Sequence, residues 1–252
     1  MAKPSSHEIN TPWYFWVDEK RRHNLLRVLE ELSRVQNKPN PQFILIGALA
    51  LLIRGILQYM VQWDIDLLFR NEEALSGFIA VEKSRDARIV HYDEHLMKGV
   101  EIASLHTAWS FDGTWFNVDY ILKARTFQLY HSTVCNEGPF EECVNYEGSN
   151  YRLNLFMAHP WDIFIEKILS PRFQRELESR DWMSVDIRHV VTMLERDKGN
   201  DDFWQTTQAK IEHLGKKSVF KSHLLALLSS LPELGYRSVD MPEGLHERIR
   251  NF

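Results

Sequence analysis

Two carboxylates stand inside the apolar run Trp63-Asp64-Ile65-Asp66-Leu67-Leu68-Phe69, and no other stretch limits the possible folds so tightly. Residues i and i+2 of a strand share a face, about 7 Å apart, so Asp64 and Asp66 project together. Burying ionised carboxylates is costly unless a cation or hydrogen-bond donors compensate. The pair therefore points to a metal site. Two divalent ions roughly 4 Å apart can clamp the attacking and leaving oxygens of phosphoryl or nucleotidyl transfer. Just upstream, Phe43-Ile44-Leu45-Ile46-Gly47-Ala48-Leu49-Ala50 reads as a buried strand that ends at a glycine and opens a helix.

The 252 residues suffice for one large domain or two small ones. A net charge of −5 argues against a surface coated in positive charge for nucleic acid, so any polynucleotide would be held by a local cleft. Cys135 and Cys143 match neither a zinc ligand set nor a disulfide framework. The amino terminus lacks an apolar signal-like core, and the most apolar run, Phe43 to Val61, is interrupted by Gly47, Arg54, Gly55 and Gln58. The expectation is a cytoplasmic protein with no membrane partner.

Val17 to Gln36 has the periodicity of an amphipathic helix, with Asp18 near its start. Strand 43–46, helix 48–57 and strand 63–69 make a strand-helix-strand unit. Glu72 to Lys83 reads as a helix, Ala87 to Tyr92 as a strand, and Asp93 to Lys98 as a polar connection. Strands 100–109 and 114–122 flank Asp112-Gly113, a dipeptide that favours a hairpin turn. The signal from Thr126 to Asn150 is mixed, and Tyr151 to Phe156 resembles one more strand. Beyond Pro160 the pattern is helical over 161–169, 181–196, 201–214 and 218–231, with a polar tail from Gly235. These elements predict an α/β (α+β) core with a mixed sheet over residues 15–157, followed by a helical carboxy-terminal domain over 158–252. The eleven histidines show no metal-ligand spacing, and core packing explains most of the eight tryptophans.

A third acid lies in Phe116-Asn117-Val118-Asp119-Tyr120-Ile121, again inside an apolar strand. Together these segments resemble the polymerase-β-like nucleotidyltransferase superfamily, in particular the minimal bacterial branch of abortive-infection and toxin-antitoxin nucleotidyltransferases. The resemblance spans about Phe43 to His189. Gly47-Ala48 takes the place of the family's Gly-Gly or Gly-Ser turn, Asp64 and Asp66 that of its Asp-x-Asp pair, and Asp119 that of its third aspartate. Ala48 lacks the hydroxyl of a serine, and Gln62 replaces a small hydroxyl residue before the first aspartate. Downstream, Lys167 and the pair Arg180-Asp181 fill the places of a helix lysine and a basic-acidic helix start.

The resemblance implies Mg²⁺ (or Mn²⁺) held by Asp64, Asp66 and Asp119, the triphosphate of ATP or another nucleoside triphosphate held at Gly47 and Ala48, and Lys167 reaching its oxygens. Asp181 would orient Lys167 or close the helical pack. The implied reaction moves a nucleoside monophosphate to a hydroxyl on RNA, a protein or a small molecule, with a cognate partner protein as a further possibility. The alternative is a catalytically inactive nucleotidyltransferase fold serving as a binding or antitoxin module. Considered residue by residue, Gly47 reads equally as a packing glycine, and Lys167 and Asp181 as solvated helix charges.

Overall fold

The computed structural model describes residues 11–36, 40–59, 64–82, 87–96, 103–181, 184–233 and 244–252. Gln62, Trp63, Lys83, Lys98, Val100, Trp182 and Gly235, all used in the sequence reading, lie outside the described residues. The architecture is mixed α+β, with a five-stranded sheet, a two-stranded ribbon and many helices.

After a 3-10 turn at Trp13–Trp16, helix α1 (Glu19–Val35) starts where the Asp18 carboxylate accepts from the Lys20 amide at 2.9 Å. Such a cap satisfies an amide that has no partner within the helix. Its apolar stripe buries Leu25, Leu26, Val28, Leu29 and Leu32. At its end, the Gln36 side chain donates to the Phe43 carbonyl at 2.6 Å and accepts from the Phe156 amide at 2.8 Å, stitching two distant segments together.

Strands β1 (Phe43–Ile46), β2 (Ile65–Phe69), β3 (Arg88–Leu96), β4 (Ala103–Phe111) and β5 (Thr114–Leu122) form the sheet in the order β1-β2-β5-β4-β3. Within this sheet β2 and β5 pair in parallel, and the other three pairs described are antiparallel. Helix α2 (Gly47–Ile53) follows β1, and α3 (Glu72–Glu82) follows β2. Phe78 of α3 packs edge-on against Phe43 and Tyr120 and also meets Phe69 and Trp109, while Arg21 and Arg27 of α1 lie over Phe116 and Phe111. Burial of each such aromatic ring contributes about 2–3 kcal/mol. These residues alternate with Asp66 and Asp119, so α1 and α3 cover one face of the sheet and the carboxylates occupy the other.

The segment with mixed sequence signal resolves into helix α4 (Ala124–Glu137) and strand β6 (Phe140–Tyr146), which pairs with β7 (Ser149–Leu155). β3 continues through Leu96, where the sequence suggested a polar connection, because β4 supplies hydrogen-bonding partners along its length. Then come α5 (Pro160–Leu169), α6 (Pro171–Glu178), α7 (Val185–Asp197), α8 (Asp201–His213), α9 (Lys217–Ser230) and α10 (Leu245–Arg250). The sequence reading omitted α6 and α10 and started α7 at Asp181. The side chain of Ser184 caps α7, accepting from the Ile187 amide at 3.2 Å. α5 is the axis of the helical part, with Phe164 against Phe203 and Phe220. Lys210 of α8 donates to both Thr133 of α4 and the buried Asp162 of α5, so one ammonium ties three helices.

Candidate active site

The parallel register of β2 and β5 sets Asp66 directly beside Asp119, and the antiparallel register of β1 and β2 sets Ile46 beside Asp66. The chain therefore leaves β1 at Gly47 next to the Asp66 carboxylate. Gly47 has φ +73°, and a Cβ placed there would lie 2.2 Å from Asp66 Oδ2. Only glycine tolerates both the backbone conformation and that approach. Ala48, the second residue of α2, is half-buried and packs against the core.

Asp64 precedes β2 and is exposed; its Oδ1 accepts from Asn117 Nδ2 at 3.1 Å. Asp119 Oδ1 lies 2.8 Å from His106 Nδ1, across the β4–β5 ladder. Burial, followed by the charges of Asp119 and Asp64, pushes the Asp66 carboxyl up to about 7, with Lys167 opposing. Burial also raises Asp119, against the hydrogen bond and charge of His106. The structure thus gathers three carboxylates where the start of β2 meets the middle of β5 and leaves Asp66 poorly compensated.

Hard carboxylate oxygens are the ligands that Mg²⁺ and Mn²⁺ prefer, so the donor chemistry fits the ion. Among the described residues, however, no three carboxylate, imidazole or thiol groups converge as they would around one cation. Asp64 is engaged by Asn117 and Asp119 by His106.

Lys167 Nζ donates to Asp186 Oδ1, and Arg172 Nε lies 3.5 Å from Asp186 Oδ2. Although burial pushes the Asp186 carboxyl upward, Lys167 and then Arg172 hold it below its ordinary value. The sequence reading assigns Asp181 the role of orienting Lys167 or of closing the helical pack. The ion-pair partner is Asp186 instead, because α7 begins at Val185 and turns Asp186 toward α5. Asp181 is exposed, and its amide closes the turn after α6 by donating to the Glu176 carbonyl at 3.0 Å. Beside the pair sits His189, 1% exposed, with neither ring nitrogen hydrogen-bonded.

His106, Asn117 and Asp186 escaped the sequence reading. Two of them left a signal: counting back from the Asp112-Gly113 turn places His106 opposite Asp119, and Asn117 precedes Asp119 by one strand period. Asp186 left none, since its role depends on where α6 ends.

No protein-family model matches the chain, and no curated protein matches it in sequence. Two solved structures are similar at a distance. An antigenic nucleotidyltransferase-like protein from Paracoccidioides brasiliensis aligns at 16% identity and TM-score 0.37, over 79% of this chain and 93% of that one. JHP933 from Helicobacter pylori aligns at 14% identity and TM-score 0.35, over 93% of this chain and 95% of that one.

Proposed function

We propose that this protein is a Mg²⁺- or Mn²⁺-dependent nucleotidyltransferase, moving a nucleoside monophosphate from a nucleoside triphosphate to an acceptor hydroxyl. The observation that carries the reading is the pairing of Asp66 with Asp119 on neighbouring strands, with Asp64 adding its charge and ionisation of Asp66 held off until about pH 7. Packing alone gives no reason for such a cluster, whereas a cation relieves it. Asp64, Asp66 and Asp119 would hold the ion once the side chains of Asp64 and Asp119 turn from Asn117 and His106, and the ion would neutralise triphosphate charge and increase the acidity of an acceptor hydroxyl.

Asp119, closest to His106, would accept the acceptor proton as its oxygen bonds to the α-phosphorus and the bond to the departing pyrophosphate breaks. Lys167, paired with Asp186, would meet the negative charge of the triphosphate. The Gly47-Ala48 turn would offer backbone amides to the phosphates, and Asp181 would stabilise the turn leading to α7. The acceptor class is RNA, protein or a small molecule.

The test is label transfer from each α-labelled nucleoside triphosphate into RNA, protein and small-molecule fractions, for wild type and Asp64→Ala/Asp66→Ala. Metal-dependent label that disappears in the double variant is expected. Label at the same level in both excludes these carboxylates from the chemistry. The rival reading, an inactive binding or antitoxin module, draws on Ala48 and on the engagement of Asp64 by Asn117 and of Asp119 by His106. Nucleotide binding without metal dependence would favour it.

A further inference from the structure

Trp115, Asn117 and Asp119 occupy alternate positions of β5, so all three side chains project from the carboxylate-bearing face of the sheet. Cross-strand register extends this row: Trp115 faces Ser110 of β4, Ser110 faces Arg88 of β3, and Val90 of β3 follows on the same face. Trp115 is 40% exposed and Val90 39% exposed, and the Arg88 guanidinium lies over the Trp115 ring at 5.5 Å. The opposite face of the same strand is closed, with Phe116, Val118 and Tyr120 at 2% exposure or less. An apolar and cationic strip therefore starts about 13 Å along β5 from Asp119 and leads to it through Asn117.

Trp115 is open on a strand whose other side is buried at Phe116, Val118 and Tyr120, and its chemistry limits what it can receive. A flat indole with a guanidinium against it matches the planar, electron-rich face of a nucleobase. Its continuity with the carboxylates places the occupant within reach of the reacting hydroxyl. The chain's net charge of −5 disfavours a duplex held through many phosphates, but stacking requires few phosphate contacts.

Resting on the transfer reading, we infer that the acceptor is a single-stranded polynucleotide, and that Trp115 and Arg88 stack one of its bases while its terminal hydroxyl lies at Asp119. Trp115 and Arg88 are then acceptor-binding residues, separate from those that meet the triphosphate.

The probe is a fluorescent ten-residue single-stranded oligoribonucleotide, titrated against wild type, Trp115→Ala, Trp115→Phe and Arg88→Ala, alongside an abasic strand of equal length. Magnesium-dependent ATP binding by the wild type is read in a separate titration. Trp115→Ala is expected to weaken strand binding about tenfold, Trp115→Phe to restore most of it, and the abasic strand to bind no better than it does to Trp115→Ala. Arg88→Ala, at an exposed position that leaves the fold intact, is expected to weaken binding less. Wild type that binds ATP but no strand, or binds base-bearing and abasic strands alike, overturns the platform and leaves the transfer reading standing. Strand binding that depends on Trp115 in a protein without metal-dependent ATP binding supports the platform and overturns the transfer reading.

Discussion

Asp66 and Asp162 are both carboxylates among apolar side chains, but their surroundings differ in sign. Asp162 on α5 is buried, and burial raises its carboxyl, yet Lys210 and Thr133 both reach it and oppose that rise. Asp66 on β2 has Asp119 and Asp64 adding to the burial effect, and Lys167, its main opposing charge, is already paired with Asp186. One carboxylate is part of the scaffold; the other is a liability in the ligand-free chain. The proposed function draws on that difference between the two carboxylates.

The largest expected effect tests the scaffold side. Asp162→Ala leaves the Lys210 ammonium among three helices without its counterion and should destabilise the fold by about 3–5 kcal/mol, read from chemical denaturation. A loss below about 1 kcal/mol would place Asp162 with the surface pairs and collapse the contrast.

Next is Gly47, whose missing side chain gives Asp66 its room. Gly47→Ala should cost about 2–3 kcal/mol, combining the collision with Asp66 Oδ2 and the positive φ. In Gly47→Ala/Asp66→Ala the collision is gone, so the cost of the alanine should fall to about 1 kcal/mol. Equal costs in the two backgrounds would show that the close approach is not what requires glycine.

Acid melts oppose the two regions directly. Burial lowers His159 to about 4 and His189 to about 3, from the ordinary 6.5. Below pH 6.5 the unfolded chain takes up protons that these folded-state imidazoles refuse. Their contribution is therefore intact above 6.5 and falls by about 2 kcal/mol per histidine by pH 5. Asp66 acts in the other direction, because its folded carboxyl is raised from 3.8 to about 7. Its penalty is present above pH 7 and is relieved as pH falls toward 3.8. Asp66→Asn should therefore lose stability more steeply than wild type between pH 8 and 5, by about 2 kcal/mol. Parallel pH profiles would remove the distinction between the regions.

Much of this contrast was written in local sequence pattern. The strand alternation around Asp64, Asp66 and Asp119 and the turn at Asp112-Gly113 carry the sheet's carboxylate face, because period-two alternation and turn chemistry are short-range signals. The parallel pairing that brings Asp66 beside Asp119 joins strands roughly fifty residues apart, and no local pattern encodes it. The same limit applies to Lys167, whose partner is Asp186 rather than Asp181. There the deciding feature is that α7 starts at Val185, behind the Ser184 cap, and not at Asp181. Nothing local separates Trp115 from the buried tryptophans, since exposure at a strand position depends on whether a helix covers that face.

Under the proposed function, Asp66 is a poorly compensated carboxylate that would hold a cation and its nucleotide. The most direct measurement is the melting temperature of wild type and Asp66→Asn at pH 8, with and without Mg²⁺ and ATP. The predicted result is a variant that melts higher than wild type when both are ligand-free and does not respond to Mg²⁺ with ATP, while the wild type gains several degrees. A variant that melts lower than wild type, with neither protein responding to ligand, would contradict the claim and make Asp66 a structural residue.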